Sequence, residues 1–377
     1  MDNNASLQVL DSVSNPASSS KPFPTQLHKQ TTSKKIKVGM IQINNSFSEQ
    51  SYLPLSIGFL QSYAQAHTAN AADFEFTMPI YKRIPVETAV NQLDGVDIAC
   101  FSTYVWNFNI SRRIAQRLKE RYPDTLIVFG GCHVPDTKEK GLEALIRENP
   151  FVDLASTGEG EVSFTRLLEH FPDRDWHAVP SLAFVDEKGR FVETPKAPRI
   201  EDLNEIPSPY LTGFFDPLMQ ANPQEGWIAL FETNRGCPFH CSFCDWGIGA
   251  KKRMGEFDLE DRIPKEIDWF SKNRIEFVYC CDANFGIYAG EKHGFRDLRI
   301  AQKFAENKKR YGYPQRFSVQ NTKNSTEASY NIQKVLVESG LDKGVLLAFQ
   351  SLNPQTLEAV KRSNIKLDTF FELQRRF

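Results

Sequence analysis

Apolar residues along the chain fall into short runs that switch between two periods. From Ile36, KIKVGMIQI is a β-rich run, and the LPLSIGFLQSYAQAH that follows spaces its apolar residues as a helix does. FEFTMPIY, VDIACFSTYVW, TLIVFGGCHV and VDLAST read as further strands, separated by helical stretches near 85–94, 109–121 and 137–148. Strand and helix in regular succession over 36–175 predict an α/β domain whose parallel sheet is covered on both faces. Ligands of such sheets bind at the carboxyl ends of the strands, near a switch in strand order. That rule singles out the loops Ser102–Trp106, Gly130–His133 and Gly158–Glu161. A tight turn after a strand is the other reading of Gly130 and Gly131, and a plain helix start that of 158–161. No GxxxxGK[ST] occurs and the first strand is not followed by GxGxxG, so both phosphate fingerprints are missing.

Residues 176–222 read as a hairpin and linker. SLAFVDEKGRFVE turns at Lys188 and Gly189, and the proline-punctuated TPKAPRIEDLNEIPSPYL follows. A second series occupies 223–377: the strand WIALFETNRGC, a helix near 260–272, IEFVYCCDA, a helix near 296–310, QRFSVQN, a helix near 326–339 and GVLLAFQS. Four strands with crossover helices begin a β/α barrel but do not close one, because closure must match strand number, tilt and stagger. Either a further C-terminal part supplies the remaining strands or a partner covers the open edge, and the expectation is a chain truncated at its C-terminus. Residues 1–35, rich in Ser, Asn, Thr, Gln and Lys, read as a disordered tail.

Composition narrows the function classes. Among 377 residues, 45 Lys and Arg against 47 Asp and Glu leave a net charge of −2, so no strongly basic surface for nucleic acid is expected. No run reaches the roughly 18 apolar residues of a membrane span and no apolar signal core begins the chain, so a cytoplasmic protein without a membrane partner is expected. The seven cysteines are an odd, uneven set, unlike a disulfide scaffold. Cys100, Cys132, Cys280 and Cys281 read as small buried apolar side chains, with the last two facing opposite sides of their strand. Cys237, Cys241 and Cys244 differ, because they lie within eight residues in NRGCPFHCSFCDWG, directly after a predicted strand. Three thiolates on one loop suit three corners of a four-iron cluster and leave the fourth iron without a protein ligand. A structural zinc site normally takes four ligands, and His240 is then the candidate fourth.

CxxxCxxC with the aromatic Phe243 just before its third cysteine, ending the first strand of a β/α barrel, resembles the radical S-adenosylmethionine (SAM) superfamily. PLSIGFLQSYA, FGGCHVPD and STGEGE resemble the cobalamin-binding Rossmann-like domains fused ahead of such barrels, so the likeness spans nearly all of 36–377. The resemblance implies a doubly wound Rossmann-like domain followed by a partial TIM-like barrel. It implies a [4Fe-4S] cluster on Cys237, Cys241 and Cys244 whose unique iron is chelated by SAM, and reductive cleavage of SAM to methionine and a 5′-deoxyadenosyl radical. Around SAM it implies Phe243, Asp282 of DANFG toward the ammonium group, Ser318 and Gln320 at the barrel mouth, Gln350 and Ser351 near the ribose or methionine, and Arg362 on the carboxylate. A helix cap for Asp282 and a solvated helix position for Arg362 are the other readings. Around cobalamin the resemblance implies Ser102, Thr103, Tyr104, Val105 and Trp106, then Gly130, Gly131, Cys132 and His133, then Gly158, Glu159, Gly160 and Glu161. The DxHxxG motif whose histidine ligates cobalt is absent, so a bound cobalamin would lack a protein histidine ligand, and loss of cobalamin stays an alternative. The function implied is a cobalamin-dependent radical SAM methyltransferase acting on an unactivated carbon and supplied with electrons by a ferredoxin or flavodoxin. The alternatives are another radical step, such as ring contraction or rearrangement, and a non-catalytic iron-sulfur or zinc-binding module.

Overall fold

The computed structural model describes residues 34–244, 254–324, 327–344 and 350–376. Most of the expected tail and most of the expected fourth strand of the second series, GVLLAFQS, lie outside the described residues. The first part of the chain runs β1 (Ile36–Asn44), β2 (Gln50–Tyr52), α1 (Leu55–His67), β3 (Phe74–Phe76), β4 (Ile80–Lys82), α2 (Val86–Gln92), β5 (Ile98–Ser102), α3 (Phe108–Arg121), β6 (Leu126–Gly130), α4 (Leu142–Glu148), β7 (Leu154–Ser156) and α5 (Gly160–Glu169). The hairpin follows as β8 (Leu182–Val185) and β9 (Phe191–Glu193), then α6 (Asp216–Ala221). The second part runs β10 (Gly226–Phe231), β11 (Asn234–Arg235), β12 (Gly255–Glu256), α7 (Arg262–Lys272), β13 (Phe277–Cys280), α8 (Arg296–Tyr311), β14 (Arg316–Ser318), α9 (Glu327–Glu338), α10 (Pro354–Ala359) and α11 (Leu367–Arg376).

The result is an α/β fold with mixed, mostly parallel sheets. The larger sheet has the order β3-β1-β5-β6-β7-β8-β9, with β4 also on β1. Pairing is parallel through β7 and antiparallel in the hairpin, which extends this sheet. FEFTMPIY is two strands rather than one, and both pair with β1. Pro79 explains the break, since it has no N–H to give the ladder. VDIACFSTYVW stops being a strand at Ser102.

Alternate residues of the larger sheet face opposite sides, as the pleat requires. Ala99, Phe101, Ile127 and Phe129 pack on one side with Ile114 and Leu118 of α3 and with Leu142 of α4. Ile98, Cys100, Leu126 and Val128 pack on the other with Ile57 of α1 and with Phe164 and Leu168 of α5. Helix α1 is buried on two sides: Leu55, Phe59 and Tyr63 belong to the core of the second sheet, while Ile57 and Ala64 belong to that of the first.

The second sheet has the order β14-β13-β10-β2, all parallel. β2 was not legible in the sequence. It occupies the outer edge of β10, so that edge is covered by the chain's own Gln50–Tyr52. Glu225, just ahead of β10, holds this arrangement by accepting from Ser51, Tyr81 and Lys82. Such a charge-assisted cluster is stronger than neutral hydrogen bonds.

In the larger sheet the chain turns from β1 to β3 on one side and returns to β5 on the other, so the switch in strand order lies between β1 and β5. Asn107 spans it, donating to the carbonyls of Ile43 and Ser102. At the neighbouring strand ends, Thr103 donates through its N–H to the carbonyl of Gly130, and His133 N–H donates to that of Thr103. Gly131 sits in this crossing at φ 92°, where a Cβ would come within 2.8 Å of the Thr103 backbone. Gly131→Ala should therefore lower stability by about 1–3 kcal/mol. Urea titration should show it as a lower midpoint at unchanged m-value.

Candidate functional site

The cysteine loop leaves β11, which is only two residues long and pairs with the equally short β12. So little ladder does not hold a loop rigid, and the segment before the cysteines is held by side chains instead. Asp282, fully buried beyond the end of β13, accepts from Thr233 N–H and hydroxyl and from Asn234 N–H and Nδ2. Burial pushes its carboxyl up to about 7, against the pull of the Thr233 donors. Arg296 donates to the Thr233 hydroxyl and carbonyl and to the carbonyl of Phe257, and its neighbour Asp297 accepts from the N–H groups of Gly286 and Tyr288. One buried network thus ties β10, β11, the loop after β13 and α8 together.

A second cluster holds the next residue. The Arg235 guanidinium lies 2.8 Å from Glu161, 3.0 Å from Glu232 and 3.7 Å from Glu159. The three carboxylates hold its pKa well above the usual range against the opposing effect of burial. Arg199 meets Glu159 at 2.6 Å. The start of α5, from the first series, is thereby clamped to the base of the cysteine loop.

Beyond these clamps, Cys237 and Cys241 are buried and Cys244 half-buried, all as free thiols. Asn284 Nδ2 lies 3.1 Å from Cys237 Sγ, and Lys323 Nζ lies 3.2 Å from Cys241 Sγ. Asn284 is 1% exposed, and its Oδ1 has no hydrogen-bond partner among the described residues. A buried, unmatched acceptor beside a thiol is the kind of vacancy a ligand N–H or O–H fills. The segment after α10 closes over the same loop, with Ser242 N–H donating to the carbonyl of Val360. Arg362 is buried at 6% exposure, beyond the helix end, and donates to Asn364.

Among the described residues no three His, Cys, Asp or Glu side chains form a group able to hold one metal ion, and His240 is exposed. Zinc needs its ligands within about 2.0–2.3 Å of a single point. Three thiolates that each serve a different iron stand farther apart, so this finding bears on a mononuclear site and not on a cluster. The donor set itself, three thiols on one loop with two N–H donors on their sulfurs, suits an iron-sulfur group.

No protein-family model matches the chain. The cobalamin-dependent radical SAM methyltransferase TokK of Streptomyces tokunonensis is 38% identical over 337 residues, which cover 88% of this chain and 47% of TokK. A 2-(S-pantetheinyl)-carbapenam-3-carboxylate methyltransferase of Streptantibioticus cattleyicolor is 36% identical, covering 86% of this chain and 47% of its own. The chain is thus similar in sequence, over nearly nine-tenths of its length, to proteins named as methyltransferases, one of them cobalamin-dependent and radical SAM. It spans about half the length of the relatives it matches. The fold is similar to that of the cobalamin-dependent SAM radical enzyme OxsB, solved with aqua-cobalamin and SAM, with a TM-score of 0.61 at 18% identity over 88% of this chain and 46% of OxsB. It is also similar to the methyltransferase TsrM of Kitasatospora setae, solved with cobalamin and a [4Fe-4S] cluster, with a TM-score of 0.55 at 16% identity over 90% of this chain and 70% of TsrM.

The expected SAM residues divide. Arg362 is buried two residues after Val360, whose carbonyl meets the cysteine loop, and is not a solvated helix residue. Asp282 is neither a helix cap nor free toward a ligand, because Thr233 and Asn234 occupy both of its oxygens. Phe243 is half-exposed beside Cys244, and Ser318 pairs in register with Tyr279, whose hydroxyl accepts from Gln320. Gln350 is exposed, and Ser351 accepts from Asn353 N–H while its carbonyl accepts from Asn364.

The expected cobalamin residues divide as well. Val105 and Trp106 are 78% and 44% exposed at the strand-order switch, Trp106 stacks on Tyr104, and buried Asn44 Nδ2 at the end of β1 lacks a partner among the described residues. Ser102 and Thr103 are buried within the strand end, and Gly130 continues β6. Cys132 is exposed, and His133 packs on Phe108 with ring centroids 4.1 Å apart, where burial lowers its pKa. Gly131 is small because Thr103 crowds it, not to admit a ring. Gly158 is open, and Gly160 abuts Leu60. Glu159 and Glu161 are engaged by Arg199 and Arg235 and so serve the clamp, with Glu159 Oε2 alone lacking a hydrogen-bond partner among the described residues. Cys280 is fully buried against the helices and Cys281 half-buried on the other face, and burial raises both thiols far above the usual range.

Asn284, Lys323 and Arg235 were missed in the sequence, although DANFG already contained the first. Asp282 and Asn284 both lie in the loop beyond β13 and both are buried, so only their partners in the fold tell them apart. Arg235→Leu would leave Glu159, Glu161 and Glu232 crowded around an apolar side chain, and breaking such a buried cluster is expected to lower stability by about 3–5 kcal/mol. Urea titration at pH 7 checks this, and an unchanged midpoint would show the cluster to be idle.

Proposed function

We propose that this chain is the cobalamin- and cluster-binding part of a radical SAM methyltransferase, with a Rossmann-like domain over 36–175, a hairpin and linker over 176–222 and a partial β/α barrel over 223–377. The observation that carries the reading is the cysteine loop. Three thiols at CxxxCxxC spacing follow the first strand of the second sheet, two of them buried with N–H donors on their sulfurs, in a chain 38% identical to TokK. The strand order β3-β1-β5-β6-β7 and the parallel run β10-β13-β14 support the two-part architecture.

Cys237, Cys241 and Cys244 would hold three irons of a [4Fe-4S] cluster. When bound, these groups supply an electron that cleaves SAM to methionine and a 5′-deoxyadenosyl radical, together with a methyl group carried on cobalamin. The chain's own residues bind and orient. Arg362 would be the cation for the SAM carboxylate, a match its fork geometry favours. The unmatched Asn284 Oδ1, and not Asp282, is the acceptor for a SAM N–H. Phe243, Ser318, Gln320, Gln350 and Ser351 line the approach. The exposed Val105 and Trp106 offer an apolar surface to a corrin at the strand-order switch, and Asn44 offers a donor beside it. The likeness to OxsB and TsrM, both solved with cobalamin, supports this use of the crevice. Electron supply by a ferredoxin or flavodoxin accompanies the reading.

Anaerobic reconstitution of the full chain should give about four irons and four sulfides per chain, and Cys237→Ala, Cys241→Ala or Cys244→Ala should lose the cluster. SAM should perturb the spectrum of the reduced cluster. A colourless, iron-poor protein, or stoichiometric zinc displaced by no cluster, would overturn the reading in favour of a zinc module. Separately, hydroxocobalamin should be retained on gel filtration by the wild type and its retention should fall at least tenfold in Trp106→Asp. Equal, negligible retention by both would mean that cobalamin binding has been lost.

A further inference from the structure

Asn284 and Lys323 come from different loops, one after β13 and one after β14, yet each directs an N–H at a sulfur of the cysteine loop. The distances are 3.1 Å to Cys237 and 3.2 Å to Cys241. Both lie in hydrogen-bond range for sulfur, which is longer than for oxygen because the acceptor is larger and more diffuse. Lys323 also stands over the ring of Phe239, two residues before Cys241, at 5.2 Å. No carboxylate among the described residues pairs with Lys323, so its charge is directed at the sulfur and the ring. Asn284 is held by burial and by the loop geometry around it, since Phe285 N–H donates to the carbonyl of Gln320 and Thr322 N–H donates to that of Phe285. The same two backbone bonds join the loops that carry Asn284 and Lys323, so the two donors are presented together.

A thiol accepts hydrogen bonds weakly, and a thiolate bound to iron accepts them well. Reduction adds an electron, part of whose density falls on the ligand sulfurs. A donor pointing at those sulfurs therefore stabilises the reduced form more than the oxidised one, and hydrogen bonding to sulfur is one of the levers on iron-sulfur potentials. A cationic donor acts more strongly than a neutral amide. Reductive cleavage of a sulfonium needs a cluster that can be reduced at all by an available donor, so the level of that potential matters to function.

We infer that Asn284 and Lys323 are positioning residues that hold the sulfurs of Cys237 and Cys241 and raise the reduction potential of the cluster, Lys323 more than Asn284. This rests on the cluster reading of the cysteine loop. It also assigns a purpose to two residues that, among the described residues, neither cap an element nor join an ion pair.

The test uses the full chain, reconstituted anaerobically, with iron and sulfide content measured first and the midpoint potential then titrated by electron paramagnetic resonance. Lys323→Met should keep the wild-type iron content and lower the reduced-to-oxidised ratio at fixed poise about tenfold, equivalent to about 59 mV for a one-electron couple. Lys323→Arg should restore most of the wild-type value, which a purely steric role would not require. Asn284→Leu, of similar size, should shift the midpoint in the same direction by less. Lys323 is half-exposed, so its two variants decide the matter even if Asn284→Leu fails to assemble. Full iron content with an unchanged midpoint in Lys323→Met overturns the inference while leaving the cluster reading intact. A wild-type chain that takes up no cluster overturns the reading itself.

Discussion

A buried carboxylate holds the segment from which the cysteine loop departs. Asp282 receives four donors from Thr233 and Asn234, and Arg296 grips Thr233 from the other side. Two-residue strands leave most of their backbone groups without ladder partners, and buried polar groups must find them elsewhere. The network supplies those partners, and in doing so it converts an irregular stretch of chain into a fixed platform. Every function suggested for the loop depends on that conversion, because ligands to a metal group must be held in position before the group arrives.

The second constraint is the coupling between the two sheets. Helix α1 contributes to both cores, β2 crosses from the first series to the edge of β10, and Arg235 locks the start of α5 to the cysteine loop. These are contacts of three different kinds: apolar packing, backbone pairing and buried charge. A pair of domains joined only by a linker would move freely relative to one another. Here the loops at the strand-order switch and the loop bearing the cysteines belong to one continuous packed body.

Glutamates 159 and 161 show how the same residues change meaning once their surroundings are known. In the sequence, GEGE stands at the carboxyl end of a strand, where ligands of parallel sheets bind, or simply starts a helix. In the fold, the carboxylates face Arg199 and Arg235. Gly131 makes the parallel point, being small for the sake of Thr103. Trp106 goes the other way: an aromatic at the end of a strand is usually core, and this one is exposed. Sequence pattern singled out these loops by their place at the strand ends but could not assign their members to interior or surface.

The sequence by itself was enough to determine most of the alternation of strands and helices among the described residues, the hairpin at Lys188 and Gly189, and the cysteine spacing that points to iron-sulfur chemistry, because each of these is a local property of neighbouring residues. What tertiary structure alone decided was pairing over distance. Gln50–Tyr52 is too short to register as a strand until β10 is beside it. Asp282 is as good a ligand as a clamp until Thr233 is seen 49 positions away to be its partner. Lys323 is an ordinary surface lysine until Cys241, 82 positions earlier, lies against it. Hydrogen bonds and ion pairs between such distant positions leave no period in the sequence, since the entropy of closing the intervening loop is offset by the packing of the whole chain and not by any local preference.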